Sequence, residues 1–208
     1  RLYEADRDIR LRQEMLLGIG GVRMLSALGI TPSVWHMNEG HSAFLVLERI
    51  RQHMKADGLS LAEAMELVRS SCVFTTHTPV DAGNERFNAD LMNRYFSDFS
   101  GELGMEWGDF LRLGRQEGGD QQIFDMTVLA LRMSSQANAV SAMHGMVSRR
   151  MWRNIWRSFD EAELPITHVT NGIHADSYAG PAFRRIDQID ASNLRFLARA
   201  ECEGRRTQ

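Results

Sequence analysis

The chain has 208 residues, 43% hydrophobic and 25% charged, which is enough apolar material for a real core and argues against a disordered segment. A formal net charge of −3 lacks the excess of clustered Lys and Arg on which phosphate-backbone binding rests, so nucleic acid is excluded as a partner. Two cysteines, Cys72 and Cys202, are too few and too far apart for a disulfide framework, and beside twelve methionines they point to a reducing, cytoplasmic setting.

The chain opens on Arg1-Leu2-Tyr3-Glu4 and passes at once into charged, helical sequence, with no signal peptide; the tail from Glu203 to Gln208 has no closing pattern. Both ends read as cuts within a longer protein. Apolar runs are broken by Arg, Glu or His well short of the roughly 18 residues a membrane-spanning helix needs, so no membrane partner is expected.

From Leu11, the positions Leu11, Met15, Val22 and Leu25 recur at helical multiples with Gly18 on the same face, predicting a buried helix. Ile30-Thr31-Pro32 breaks it, and Ser33 to His36 reads as a buried strand ending at a polar cluster. Ala43, Val46, Leu47, Ile50 and Met54 predict the next helix, stopped near Asp57-Gly58. Ser60-Leu61-Ala62-Glu63 has the capping-box pattern, opening a helix whose apolar face is Leu61, Met65 and Val68. Cys72 to Thr76, β-branched and aromatic, predicts a second strand leading into a loop with Pro79 and Gly83.

Asn88 to Gly119, rich in Phe, Trp and Gly, reads as short helices. Asp125 to Met133 resumes a helical period, Ala137 to Ala142 reads as a short strand, and Val147, Met151 and Ile155 with Trp152 and Trp156 mark another helix. Ile166 to Thr170 is a third strand candidate. The alternation predicts an α/β fold with a parallel sheet, whose ligands bind beyond the carboxyl ends of the strands. Three such ends carry polar clusters: His36 to His41, Thr76 to Glu85 and Asn171 to Asp176.

His36-Met37-Asn38-Glu39-Gly40-His41 gathers an amide, a carboxylate and two imidazoles, a donor and acceptor set that suits the hydroxyls of a polyol. The plainer reading is that Asn38 or Glu39 caps the following helix. A metal site is the weaker reading, because the spacing is not that of the two-histidine helix motif, and none is expected. His77 sits at the mouth of a strand with Pro79 restricting the loop; it is either a ligand residue or a histidine satisfied by the neighbouring threonines. Asp81 and Glu85, with Glu39, raise the possibility of a paired-carboxylate glycoside hydrolase. Asn171 is the binding candidate of the third corner, where Gly172 permits unusual torsions, although Asn-Gly is also a common turn pair. Gly18-Ile19-Gly20-Gly21 lacks a preceding strand and reads as close helix packing rather than a phosphate loop. Arg149, Arg150, Arg153 and Arg157 read as a solvated helix face.

Taken in order, Trp35-His36-Met37-Asn38-Glu39-Gly40-His41-Ser42-Ala43-Phe44, Phe74-Thr75-Thr76-His77-Thr78-Pro79, Ala137 to His144 and Thr170-Asn171-Gly172-Ile173 resemble the α-glucan phosphorylases, in their shorter bacterial and archaeal branch. The likeness runs from about Leu11 to Tyr178. Glu39, Gly40 and Thr76 depart from the better-known glycogen phosphorylases, which write Asn-Asp-Thr-His and Thr-Asn-His-Thr there. The resemblance implies part of a GT-B glycosyltransferase fold. Residues 1–170 would be the later part of the N-terminal Rossmann-like, glucan-binding domain, and 171–208 the start of the crossover to a C-terminal domain that is absent.

It also implies retaining phosphorolysis, in which inorganic phosphate takes the terminal glucosyl unit of an α-1,4-glucan as glucose 1-phosphate. His77 would face that glucosyl unit through its main-chain carbonyl and side chain, Asn171 would bond the primary hydroxyl, and Glu39 and His41, beside Asn38, would hold the next glucose. Pyridoxal 5'-phosphate would be bound by the absent domain, with no cofactor-binding residue in this chain, which would be inactive alone. The roles of His144 and His174, regulation, and a homo-oligomer of the full-length enzyme stay open. A nucleotide-sugar glucosyltransferase of similar fold, the hydrolase and a non-catalytic glucan-binding module are the rival readings.

Overall fold

The computed structural model of the chain describes residues 6–80 and 83–174. Residue contacts divide the chain into one unit, Arg1–Thr170, and another, Asn171–Gln208. In the first, helix α1 (Arg7–Met15) starts where the Asp6 carboxylate accepts from the Asp8 and Ile9 amides. It runs through a π-helical turn, Leu16–Gly20, into α2 (Gly21–Ala27). The predicted apolar stripe is kept through this turn, with Leu11, Gly18 and Val22 buried and Met15 and Leu25 partly exposed. Leu11, Ile19 and Val22 are buried while Leu16 and Leu17 are exposed.

Strand β1 (Trp35–Asn38) begins two residues later than the sequence pattern indicates. The pairing explains this, because Trp35 is the first residue with a partner, donating to the Ser71 carbonyl and lying opposite Cys72. Helix α3 (Leu45–Ala56) ends at Asp57, and Gly58 follows at φ +68°, a left-handed torsion suited to glycine at a helix end. The capping box of Ser60 and Glu63 opens α4 (Leu61–Ser70), which buries Ala64 and Val68. Strand β2 (Cys72–Thr76) then lies parallel to β1, with Asn38 opposite Thr75.

The stretch read as short helices contains one long one. After β3 (Arg86–Asn88), helix α5 (Ala89–Glu102) runs for 14 residues, capped by Asn88, and α6 (Trp107–Arg112) follows. Strand β4 (Ile123–Asp125) pairs antiparallel with β3. Three-residue strands are too short to display an alternation, which is why neither was visible in the sequence. Asp125 accepts from the Thr127 and Val128 amides to cap α7 (Met126–Arg132).

Strand β5 (Gln136–Ala139) is shorter than predicted, because Ser141 caps α8 (Ala142–Trp152) and Ala142 is already helical. Strand β6 (Thr167–His168) completes a four-stranded parallel sheet in the order β1-β2-β5-β6. Its strands are joined through helices, the α/β arrangement that the sequence indicates.

Two contacts hold the start of α3 in place. A Cβ added to Gly18 would lie 2.8 Å from the Leu45 nitrogen, and one added to Gly40 would lie 2.9 Å from the Met126 Cβ. Gly18 thus serves helix packing, as its sequence context indicates. Phe44, directly before α3, is fully buried and meets Phe96 at a ring-centroid distance of 4.6 Å and Phe124 at 6.3 Å. Phe110 joins both, at 5.6 Å and 6.0 Å, and Trp107 stacks on Phe110. This aromatic cluster fastens the turn carrying His41 to the α5–β4 region. Among the described residues no helix is long and apolar enough to cross a membrane.

Candidate functional site

The carboxyl ends of β1 and β2 are neighbours in the sheet, so the polar residues that follow each strand meet. Glu39, immediately after β1, is the one non-glycine residue with positive φ among the described residues, at φ 62° and ψ −179°. That region is essentially reserved for glycine and costs on the order of 1–3 kcal/mol. Three hydrogen bonds hold it. The Glu39 amide donates to the Thr75 carbonyl at 2.9 Å, the His77 amide donates to Glu39 Oε1, and the Thr78 hydroxyl donates to the same oxygen at 3.0 Å. The sequence pattern placed the special torsion at Gly172 instead, but Gly172 has no positive φ.

His41 lies on a 3-10 turn, Gly40–Ser42, and is partly exposed. Its Nδ1 atom is 2.7 Å from an Arg10 guanidinium nitrogen. Arg10 and Glu14, one helical turn apart on α1, are both buried, and their ion pair is 3.0 Å long. Arg10 also pairs with Glu85 at 3.1 Å, and Arg7 reaches Glu85 at 2.8 Å. Burial holds the Glu14 carboxyl above its ordinary value of 4.5, with the Arg10 charge pulling the other way. The ligating atoms of Glu14, His41 and Glu85 lie within 4.8 Å of one another, a spacing that would admit a metal ion. Arg10 bonds all three and already supplies the positive charge there, which opposes a metal reading.

On β1, His36 Nε2 is 2.7 Å from the Thr75 hydroxyl, which donates to Asn138 Oδ1 at 2.8 Å. This chain of hydrogen bonds crosses β1, β2 and β5. Asn138 is oriented in turn by its Nδ2 group, which donates to the Ala139 carbonyl at 3.3 Å.

The sequence-predicted residues therefore fall into two sets. Asn38, Glu39, His41 and His77 come together beyond β1 and β2, with Asn38 and His77 exposed. Asn171 is exposed and opens the second unit. Asp81 and Asp176 lie outside the described residues. Glu85 is held by two arginines rather than standing free as an acid or base. His144 is buried on α8, where its amide donates to the Ser141 hydroxyl. Of the arginine stripe, Arg150 pairs with Glu161 at 3.1 Å and Arg157 with Glu117 at 3.6 Å, while Arg149 donates to the Ile166 carbonyl at 2.9 Å. Sequence reasoning missed Arg10 and Glu14; the signal available was a pair of opposite charges at i and i+4 beside the buried Leu11.

The parallel sheet joined through helices places the chain in the α/β class, with hydrogen-bonding side chains gathered past its strand ends. No family model matches the chain. It is 43% identical over 197 residues to a glycogen phosphorylase of Mycobacterium tuberculosis, covering 89% of this chain and 23% of that protein. It is 45% identical over 177 residues to a maltodextrin phosphorylase of Thermococcus litoralis, covering 85% of this chain and 20% of the relative. A glycogen phosphorylase of Aquifex aeolicus is 36% identical over 186 residues, covering 89% and 26%. Over most of its length the chain is similar to glycogen and maltodextrin phosphorylases, and it spans about a quarter of the length of these relatives.

Proposed function

We propose that the chain supplies the sugar-binding wall of an α-1,4-glucan phosphorylase, an enzyme moving the terminal glucosyl unit of glycogen or maltodextrin to inorganic phosphate as glucose 1-phosphate. The observation that carries this is the meeting of Glu39 and His77 across adjacent strand ends, within a segment 43% identical to a glycogen phosphorylase. In this reading His77 faces the glucosyl unit being transferred. His41, Asn38 and the outer part of Glu39 meet the next glucose. The surrounding architecture is of the GT-B type, with residues 171–208 starting the crossover to the second domain. A cytoplasmic setting accords with the free, buried thiol of Cys72.

Phosphorylase chemistry of this kind uses pyridoxal 5'-phosphate, and the residues described do not fit that group. Its attachment needs a lysine amine, and the one lysine of the chain, Lys55, ends α3 away from the strand mouths, in an ion pair with Glu102 at 2.6 Å. The cofactor would belong to another part of a longer polypeptide. Within this chain, fixed dipoles and hydrogen-bond donors can orient the sugar and stabilise charge that develops on it. The bonding of Glu39 to the His77 amide, and of Glu85 to two arginines, disfavours a hydrolase built on that carboxylate pair. The test is glucose 1-phosphate release from maltodextrin by the full-length protein. Release that requires inorganic phosphate is the expected result, and free glucose formed without phosphate would overturn the assignment.

A further inference from the structure

Glu39 combines two features that neither helix capping nor sugar contact accounts for. Its backbone occupies torsions that glycine would accept without strain, and the next residue is a glycine. Its carboxylate nevertheless turns back to the adjacent strand, where Oε1 takes both the His77 amide and the Thr78 hydroxyl. A glycine at position 39 would remove the strain and leave the His77 amide without this acceptor. The strained residue stands where its side chain is the link between two strand ends.

We propose that Glu39 is a positioning residue: its carboxylate straps the mouth of β2 to the mouth of β1, fixing the peptide that enters His77 so that this residue meets the sugar in one orientation. The proposal deepens the phosphorylase reading and rests on it for what His77 touches. The geometry supports it from both sides. The strand pairing ends at Asn38 and Thr75, and Glu39 continues the connection past the last ladder position through its amide and its carboxylate together. Gly40 then seats against Met126 with no room for a Cβ, so the corner that carries the strap is packed closely on the start of α7. A carboxylate is the strongest acceptor available for a backbone amide, which suits a residue that must hold a loop while its neighbour handles a ligand.

The experiment uses the full-length protein with Glu39→Gly and Glu39→Gln, reading two quantities. The first is amide exchange at His77 by NMR or fragmentation mass spectrometry. The second is kcat and KM for maltodextrin in the phosphorolytic direction. Glu39→Gly is expected to speed His77 exchange by about tenfold or more, the weight of a hydrogen bond to a charged group. It should lower kcat by a similar factor while changing KM for glucan less. Glu39→Gln keeps an uncharged acceptor and should restore much of both. Unchanged His77 exchange in Glu39→Gly would overturn the strap, as would a rise in KM with kcat intact, which marks a residue that only contacts sugar. Should the wild-type protein show no phosphorolysis, the functional reading fails, while the exchange comparison still decides whether Glu39 holds His77.

Discussion

The Arg10 guanidinium lies 2.7 Å from His41 Nδ1, and a guanidinium has only donors. The Nδ1 lone pair must therefore accept, which leaves the His41 proton on Nε2. Arg10→Gln should lose this one-sided fixation, seen by ¹⁵N NMR as a shift of the imidazole from the Nε2–H tautomer to a mixture. Because it also strips the buried Glu14 of its cation, the substitution should cost about 3–5 kcal/mol in a denaturant titration. An unchanged tautomer would show that Arg10 does not set it.

Glu14 gives the fold a pH signature. Burial raises its carboxyl above the ordinary 4.5, so the folded protein holds this proton more tightly than the unfolded chain. Stability from this source is full below 4.5 and falls as pH rises through the raised value. Glu14→Gln removes the titration. Urea midpoints measured across the acid-to-neutral range should therefore fall with pH more steeply in wild type than in the variant, and parallel profiles would refute the assignment.

Two glycines offer a paired comparison of packing. Gly40→Ala drives a Cβ to 2.9 Å from Met126 and 3.2 Å from the Thr127 nitrogen. It should destabilise by about 1–3 kcal/mol, as overpacking does. Gly101, within α5 and with nothing inside 4 Å of an added Cβ, should gain about 0.5–1 kcal/mol on Gly101→Ala. Thermal melts of both variants check the opposite signs.

Phe44→Ala should cost about 3–5 kcal/mol, the range for emptying a packed aromatic site. It removes the ring shared by Phe96 and Phe124, so the loss should be accompanied by loosening of the turn that carries His41. Circular dichroism melts read the first effect and proteolysis near His41 the second.

Most of the scaffold was legible from periodicity and caps. Ser60 with Glu63, the strand from Cys72 to Thr76, and the helix opened by Asp125 follow local rules, and local rules are written in neighbouring residues. The π turn at Leu16–Gly20 was not legible, because the apolar spacing on both sides of it stays helical. The polar cluster at the strand mouths could be read as residue types, and its wiring could not. Arg10 lies 31 positions from His41, and Glu39 lies 38 from the amide it binds. Such pairs exist only after the sheet has placed its strands side by side.

The hydrogen bonds linking His36, Thr75 and Asn138 have a direction as well as a length. Because the Thr75 hydroxyl gives its only proton to Asn138, it can take one from His36 Nε2, and the other imidazole nitrogen is left as a bare lone pair. Which way one amide points on the third strand thus dictates whether the first offers solvent an acceptor or a donor. Reversing that amide would rewrite the polarity of a ring two strands away without moving the backbone at all.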